Sequence, residues 1–174
     1  QMNVADTDRM ELLLFNSGYM RTGNAKDADL ILINTCSIRD KAEQKIYSKM
    51  GNFKPLKEDN PDLILGFTGC LAQQEGERLL KKMPFVNFVL GPDGVEHIVQ
   101  VVDEIRINSK PLVRTQFDTK KNYSIPELSG DTPLNPGPSA FVNIIKGCYK
   151  FCTFCVVPFT RGREKSREAG EIEK

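Results

Sequence analysis

The stretch Leu30-Ile31-Leu32-Ile33-Asn34-Thr35-Cys36 decides the fold of the N-terminal part of this chain. It opens with a short continuous apolar run, which is typical of a strand buried on both faces of a parallel sheet. A second run of this kind, Leu63-Ile64-Leu65-Gly66-Phe67-Thr68, ends at Gly69-Cys70, and a third strand is predicted over residues 86–90. Because a helical pattern follows each run, the sequence predicts right-handed crossovers and therefore a three-layer α/β domain with a parallel sheet.

Helices are predicted before the first strand and after each strand. Their apolar positions recur at helical spacing: Met10, Leu13, Leu14, Ala42, Ile46, Met50, Leu79, Leu80, Met83, Val95, Ile98, Val99, Val102 and Ile105. Ser37 followed by Asp40 resembles a capping box at the start of the second helix. Asp93 followed by Glu96 predicts a similar cap after the third strand. The helix before that strand is expected to stop at Pro84.

Cys36 and Cys70 occupy equivalent positions in two successive repeats, each just past a strand and just before a helix. In an open parallel sheet, ligands bind at the carboxyl ends of the strands, so a shared site is one interpretation. Two buried structural cysteines are the alternative, since free cysteine is among the most buried residue types. We expect a third ligand from a strand that would precede Gln1, because the exit of that strand would lie at the same edge.

Three further cysteines lie close together in the loop Gly147-Cys148-Tyr149-Lys150-Phe151-Cys152-Thr153-Phe154-Cys155, with the spacing C-x3-C-x2-C. Three thiolates at this spacing can bind three corners of a cubane iron–sulfur cluster and leave the fourth iron without a protein ligand. A zinc knuckle or a structural thiol cluster is the alternative. Structural zinc usually takes four N/S ligands, and the only histidine, His97, is far away in sequence.

Length, charge and cysteine content set the outer bounds. The 174 residues suffice for one domain with a sizeable core and the start of another, and the net charge of +1 predicts no chain-wide field for nucleic acid. No long apolar run or signal peptide occurs in the sequence, so we expect a soluble protein that does not bind a membrane. We also expect it to be monomeric and cytoplasmic. Five cysteines, three of them in one loop, favour metal binding in a reducing compartment over disulfides.

The domain organisation follows from these patterns. Residues 1–115 are predicted to form the α/β domain without its first strand. Residues 116–139 are rich in proline and glycine, which indicates a linker. Residues 140–174 are predicted to start a second domain that is cut short, and residues 140–145 are its first predicted strand. We therefore expect the chain to be a fragment of a longer enzyme.

The cysteine loop, with Phe154 just before its third cysteine, resembles the signature of the radical S-adenosylmethionine (AdoMet) enzymes. In that family AdoMet chelates the open iron through its amino and carboxylate groups, and an electron from the cluster cleaves the sulfonium of AdoMet to give a 5′-deoxyadenosyl radical. The resemblance implies that Cys148, Cys152 and Cys155 hold this 4Fe-4S cluster. It also implies that residues 140–174 begin a partial (β/α) barrel, with the loop at the carboxyl end of its first strand.

Four ordered motifs together resemble one branch of these enzymes, the methylthiotransferases. They are Gln1-Met2-Asn3-Val4, Asn34-Thr35-Cys36-Ser37-Ile38-Arg39, Thr68-Gly69-Cys70, and Cys152-Thr153-Phe154-Cys155 followed by Pro158-Phe159-Thr160-Arg161-Gly162-Arg163. In that family the N-terminal domain carries a second 4Fe-4S cluster, held by three cysteines. Cys36 and Cys70 match two of them. The first would come one residue before Gln1, so this sequence holds two of the three expected thiolates.

The sequence motifs around Cys36 and Pro158 resemble those of the methylthiotransferases that modify N6-isopentenyladenosine in tRNA, next to the anticodon. The resemblance implies methylthiolation of adenine C2 with two AdoMet and two clusters, a tRNA substrate and an electron donor protein. Relatives that act on threonylcarbamoyladenosine in tRNA or on a ribosomal protein are the alternative, as is a non-catalytic iron–sulfur or zinc-binding module. The fragment by itself is expected to be inactive.

Residues around the cysteine loop are candidates for contacts with AdoMet or tRNA. The run Arg161-Gly162-Arg163-Glu164-Lys165-Ser166-Arg167 is strongly basic. A solvated loop is the ordinary interpretation of such a run. Beside a cluster that receives tRNA, Arg161 and Arg163 are instead predicted to contact phosphate or the AdoMet carboxylate, and Phe154 is predicted to contact the cofactor.

Overall fold

The computed structural model describes residues 2–36, 40–118 and 142–173, and for residues 40–43 only the backbone. Its main sheet contains the strands β1 (Leu30–Thr35), β2 (Ile64–Gly69), β3 (Phe88–Leu90) and β4 (Leu112–Arg114). They lie in the order β1-β2-β3-β4, and all neighbours are parallel. The predicted parallel α/β domain is therefore confirmed. The fourth strand was not predicted, because its three residues are too few to produce a recognisable apolar run.

The helices follow the predicted alternation, with one difference in detail after β2. They are α1 (Met2–Asn16), α2 (Asp40–Gly51), α3 (Lys54–Asp59), α4 (Cys70–Glu75), α5 (Glu77–Lys82) and α6 (Ile98–Asn108), with short 3-10 helices at Ala25–Asp27 and Pro92–His97. The single helix predicted after β2 is divided into α4 and α5 at Gly76, which has a positive φ of 47°. The predicted cap at Ser37 lies outside the described residues.

The predicted cap at Asp93 is wrong. Asp93 lies inside the 3-10 helix Pro92–His97, and its side chain caps neither this helix nor α6. The carboxylate instead binds Lys146 and Lys165. Two ammonium groups compete for the oxygen atoms that a capping residue would direct at its own helix, and charge-assisted hydrogen bonds are the stronger ones.

The core has two apolar layers, one on each face of the sheet. On one face, residues of α1 and α6 such as Met10 and Val102 share one apolar cluster with strand residues such as Phe88. On the other face, residues of α2 and α5 such as Met50 and Leu79 surround the remaining strand residues. All six residues of β2 are buried, as the continuous apolar run predicts for a strand covered on both sides. The sheet is the middle layer of three.

The part of the chain after the predicted linker is small in this structure. Strands β5 (Ile145–Lys146) and β6 (Lys165–Ser166) form an antiparallel hairpin, and the helices α7 (Val157–Thr160) and α8 (Ala169–Ile172) lie within and after it. Of the strand predicted over residues 140–145, residues 140 and 141 lie outside the described part, and of the rest only Ile145 is in a strand. That strand pairs with an antiparallel partner, so the predicted barrel remains a prediction. Most of the predicted linker, from residue 119 onward, also lies outside the described residues.

Candidate functional site

The carboxyl edge of the main sheet brings Cys36 and Cys70 to the same level. Strands β1 and β2 pair in parallel along their whole length, with Thr35 opposite Gly69. Cys36 is the residue directly after β1, and Cys70 is the residue directly after β2. Neighbouring strands lie about 4.8 Å apart, so the two cysteines are neighbours at this edge. Cys70 is buried and Cys36 is half-buried, and both are free thiols.

Gly69 determines how Cys70 leaves the sheet. Its φ of 90° is in the region that favours glycine, and a Cβ at this position would clash with the backbone carbonyl of Thr35. The chain therefore turns sharply at the end of β2, and α4 begins at Cys70. The hydroxyl of Thr35 donates to the Thr68 carbonyl and accepts from the Ala72 amide, which joins β1, β2 and α4 at this edge. The position of Cys70 is fixed by buried backbone.

The N-terminus of α1 is tied to the same edge. The side-chain amide of Asn3 donates to the Thr35 carbonyl at 2.9 Å, and the amide of Asn34 donates to the Asn3 carbonyl at 2.7 Å. The Asn34 amide also donates to the hydroxyl of Thr7 at 2.9 Å. No separate role was predicted for Asn3 from the sequence, although Asn3 lies in the Gln1-Met2-Asn3-Val4 motif. Its contacts show that this motif borders the exit of β1.

Arg161 reaches this edge from the second part of the chain. Its side chain is 6% exposed, and Nη2 lies 2.7 Å from Asp6 Oδ2 and 2.9 Å from Asn3 Oδ1. Burial by itself lowers the pKa of Arg161, but attraction to Asp6 and a contact with the Cys70 side chain outweigh this, so the pKa is raised. The guanidinium is therefore a permanent cation beside Cys70.

The two arginines that were predicted to bind AdoMet or tRNA have different surroundings. Arg161 is directed inward to Asp6 and Cys70, whereas Arg163 is exposed. An ion-paired, buried guanidinium has little capacity left for a phosphate group, while an exposed one is accessible to it. The contact of either residue with AdoMet or tRNA stays a prediction. Asp6, the partner of Arg161, gave no signal in the sequence, because its pairing joins residues far apart in the chain.

The cysteine loop is held between the two strands of the β5–β6 hairpin. The Cys148 amide donates to the Gly162 carbonyl at 3.1 Å, and the Cys155 amide donates to the Cys152 carbonyl at 2.9 Å. Gly147 has a φ of 77°, and a Cβ there would clash with the Arg163 carbonyl. The backbone at Gly147 and the backbone at Arg163 therefore approach each other closely just before Cys148.

The three loop thiols differ in exposure and surroundings. Cys148 and Cys155 are half-buried, and Cys152 is exposed. The amide of Lys150 donates to Cys148 Sγ at 3.4 Å. Hydrogen bonds of this kind to sulfur are one of the factors that tune iron–sulfur clusters. The loop therefore offers thiols that a cluster can reach and a backbone donor for one of them.

Aromatic side chains surround the loop cysteines. Phe154 is 92% exposed, and Phe151 is 53% exposed with a positive φ of 46°. The ring of Phe151 packs edge-to-face against Phe159, with ring centroids 6.1 Å apart. Apolar rings exposed to this extent beside thiols form an open surface that a flat ligand can stack on. The predicted contact of Phe154 with the cofactor remains a prediction.

The cysteine thiols are ligands of the kind that iron–sulfur clusters require. Thiolates are the protein ligands of these clusters, and both groups of cysteines consist of free thiols. Within residues 2–36, 40–118 and 142–173, no three His, Cys, Asp or Glu side chains converge as a metal-binding group. The loop cysteines fit a cluster by ligand type and spacing, and their side chains must turn toward a common centre to hold one. Cys36 and Cys70 fit as two ligands of a second cluster.

Comparison with known proteins places this geometry in a family. Residues 1–91, which contain Cys36 and Cys70, match the uncharacterized protein family UPF0004. The chain belongs to this family. The UPF0004 match covers the α/β domain through β3 and ends before the cysteine loop.

Relatives of this UPF0004 chain extend the similarity through the loop. Proteins named tRNA-2-methylthio-N(6)-dimethylallyladenosine synthase from Ruegeria pomeroyi, Roseobacter denitrificans and Yersinia pseudotuberculosis are 45%, 47% and 44% identical to it, each over 99% of the chain. The chain spans 38%, 38% and 36% of the length of these relatives. The resemblance to the methylthiotransferases that was recognised from the motifs is confirmed.

No helix in the described residues is both long enough and apolar enough to cross a lipid bilayer.

Proposed function

We propose that this UPF0004 chain is part of a radical AdoMet enzyme that adds a methylthio group to C2 of N6-isopentenyladenosine in tRNA, next to the anticodon. The observation that carries the proposal is the identity of 44–47% to proteins named as synthases of 2-methylthio-N6-dimethylallyladenosine, over 99% of the chain. This similarity extends across both groups of cysteines. The proposed tRNA substrate follows from the names of these relatives.

Radical chemistry suits this target. The C2–H bond of adenine is not acidic, and the hydrogen is not a leaving group, so acid–base or nucleophilic catalysis has no point of attack. In the proposed enzyme, Cys148, Cys152 and Cys155 hold one 4Fe-4S cluster, and Cys36 and Cys70 contribute two ligands to another. When bound, such clusters supply the electron that cleaves AdoMet and the sulfur that is transferred.

The residues around the cysteines have supporting roles in this proposal. Gly69 and Gly147 allow the tight backbone approaches that precede Cys70 and Cys148. Arg161 keeps a positive charge beside Cys70, where it compensates part of the negative charge that thiolate ligands bring. Arg163 is exposed near the loop and offers a guanidinium to a tRNA phosphate or to the AdoMet carboxylate. Phe154 offers an exposed ring for stacking.

The proposal includes partners. Reductive cleavage of AdoMet consumes an electron, so an electron donor protein must reduce the cluster before each turnover. We place the reaction in the cytoplasm, where tRNA is present and thiols stay reduced. A monomer is sufficient for this arrangement, because Arg161 already joins the two cysteine regions within one chain.

A chimera tests the substrate directly. Residues 1–174 replace the matching segment of the Yersinia pseudotuberculosis relative, and the chimera is produced in a bacterial strain that lacks its own synthase. Mass spectrometry of tRNA nucleosides should then show 2-methylthio-N6-isopentenyladenosine. The same chimera with Cys148→Ala, Cys152→Ala and Cys155→Ala should leave N6-isopentenyladenosine unmodified.

The chimera also defines the outcome that rejects the proposal. Its iron and sulfide contents are measured first, so that a protein without clusters is recognised. A chimera that carries both clusters and cleaves AdoMet, yet leaves N6-isopentenyladenosine unchanged, would show that the substrate is a different one. A chimera that binds zinc in place of iron would show that the radical reaction itself is wrongly assigned.

A further inference from the structure

One buried carboxylate joins the two parts of the chain. Asp93 follows β3 at the carboxyl edge of the sheet, and its side chain is 2% exposed. Lys146 Nζ and Lys165 Nζ each lie 2.7 Å from one of its oxygens. The backbone amide of Asp118 donates to Oδ2 at 3.0 Å. One carboxylate at the sheet edge thus binds two lysines of the β5–β6 hairpin.

The hairpin depends on this carboxylate for electrostatic reasons. Lys146 and Lys165 are directly opposite each other in the β5–β6 register, and their side chains are 12% and 6% exposed. Like charges that face each other across a strand pair destabilise it. Burial of unpaired ammonium groups costs still more. With Asp93 between them, both lysines are paired, so the hairpin closes only against the sheet edge.

The same hairpin encloses both the cysteine loop and α7. Residues 147–164 run from β5 to β6 and return by way of α7, which packs against α4. Arg161, just after α7, binds Asp6 at 2.7 Å and Asn3 at 2.9 Å, and its positive charge attracts Cys70. The segment is therefore attached to the sheet domain at two points. Lys146 and Lys165 of the hairpin strands bind Asp93, and Arg161 binds Asp6.

We propose that Asp93, acting through Lys146 and Lys165, is a positioning residue that docks the cysteine loop segment on the carboxyl edge of the sheet and so covers Cys70. The proposal rests on the proposed function only in naming both cysteine groups as parts of one site. Asp93 contacts neither group of cysteines. It determines where the loop cysteines lie relative to Cys36 and Cys70.

The experiment measures how well Cys70 is covered. The 174-residue chain is freed of metal with a chelator, and iodoacetamide alkylation of each cysteine is followed over time by peptide mass spectrometry. Asp93→Asn keeps the size of the side chain and removes its charge. Alkylation of Cys70 should become at least about tenfold faster, because loss of one partner from a buried ion pair shifts a local opening equilibrium by at least that factor. The exposed Cys152 serves as the internal reference for reagent activity.

Matched variants separate docking from general stability. Lys146→Met combined with Lys165→Met removes both ammonium groups from the hairpin, outside the sheet core, and leaves Asp93 without these two partners. This double variant should accelerate Cys70 alkylation as Asp93→Asn does. Lys165→Arg keeps the charge and should preserve the protection. Glu104→Gln breaks an exposed ion pair with Arg114 in the same domain and should leave the Cys70 rate unchanged. Urea unfolding followed by circular dichroism verifies that each variant is folded.

The outcome is decisive whether or not Asp93→Asn folds. If its sheet unfolds, the double variant Lys146→Met/Lys165→Met provides the answer, because the hairpin lies outside the main sheet. A Cys70 rate that stays within twofold of the unmodified chain in the folded double variant would overturn the proposal. Since no metal, AdoMet or tRNA enters the assay, its result is independent of whether the proposed reaction is correct.

Discussion

The two cysteine regions are held in place by different means. Cys36 and Cys70 follow two paired strands, one of which is completely buried, and Gly69, packed against the Thr35 backbone, fixes the turn from β2 into α4. The loop cysteines are carried by a hairpin with only two residues in each strand. The sheet edge is therefore preformed by the core, whereas the loop depends on ion pairs with the sheet domain.

The regions share one feature in spite of this difference. In each region, the glycine directly before a cysteine has a positive φ, which is 90° at Gly69 and 77° at Gly147. In each, a Cβ on that glycine would clash with a neighbouring carbonyl. The two sites thus present a cysteine directly after a close backbone approach. The comparison predicts that the same substitution at the two glycines has effects of different size.

The largest effect should come from removing the loop cysteines. In the chimera, Cys148→Ala, Cys152→Ala and Cys155→Ala together should abolish the electron paramagnetic resonance signal that changes on addition of AdoMet. Cys36→Ala and Cys70→Ala should lower the iron content and keep the response to AdoMet, because only the loop cluster binds it in this proposal. An AdoMet response that survives in the triple variant would remove the distinction between the two sites.

Gly69→Ala should be the most damaging change to stability. The new Cβ meets the Thr35 carbonyl inside the buried edge, and the positive φ adds strain. We expect a loss of about 3 kcal/mol in the free energy of unfolding, measured with urea and circular dichroism. Gly147→Ala should cost less, because the small hairpin can open locally. Gly23→Ala, where a Cβ meets nothing within 4 Å, is the control and should change the midpoint little. Equal losses at Gly69 and Gly147 would contradict a difference in rigidity.

Arg161→Ala and Arg163→Ala compare a buried arginine with an exposed one. Removal of the Arg161 side chain leaves Asp6, 16% exposed, without its partner, and should cost about 2 kcal/mol of unfolding free energy. Arg163→Ala should leave stability nearly unchanged. In the chimera, Arg163→Ala should weaken binding of tRNA or AdoMet more than Arg161→Ala does, because Arg161 is buried in an ion pair and Arg163 is exposed; filter binding and equilibrium dialysis measure this. Unchanged affinity for both ligands in both variants would reject the predicted contacts.

The smallest predicted effect is the loss, at acid pH, of the contribution that Asp93 makes to the free energy of unfolding. Burial raises the pKa of Asp93, but hydrogen bonds and attraction from Lys146 and Lys165 outweigh it, so the net pKa is lowered. A carboxyl whose pKa is lower when folded stabilises the protein above the unfolded pKa of about 3.9 and loses this contribution as the pH falls below it. The difference in unfolding free energy between the unmodified chain and Asp93→Asn should therefore shrink from pH 6 to pH 3. A difference that is constant with pH would contradict this pairing.

Some interpretations of the sequence needed correction for identifiable reasons. Asp93 was predicted to cap a helix from its local spacing, but distant lysines bind it. A solvated loop was the ordinary interpretation of the run from Arg161 to Arg167, but Arg161 and Lys165 are buried in ion pairs. Strand β4 was missed because it is three residues long. In each case the local sequence does not contain the partner that determines the structure.

The sequence by itself determined the alternation of strands and helices, the parallel sheet, the shared edge of Cys36 and Cys70, and the family. These depend on apolar runs and helical spacing, which are local, and on motifs that keep their order. Only the tertiary structure decided that Arg161 binds Asp6, 155 residues away, and that Lys165 binds Asp93, 72 residues away. A charged side chain can pair with any opposite charge that the fold brings near, so its partner is settled only when the chain has folded.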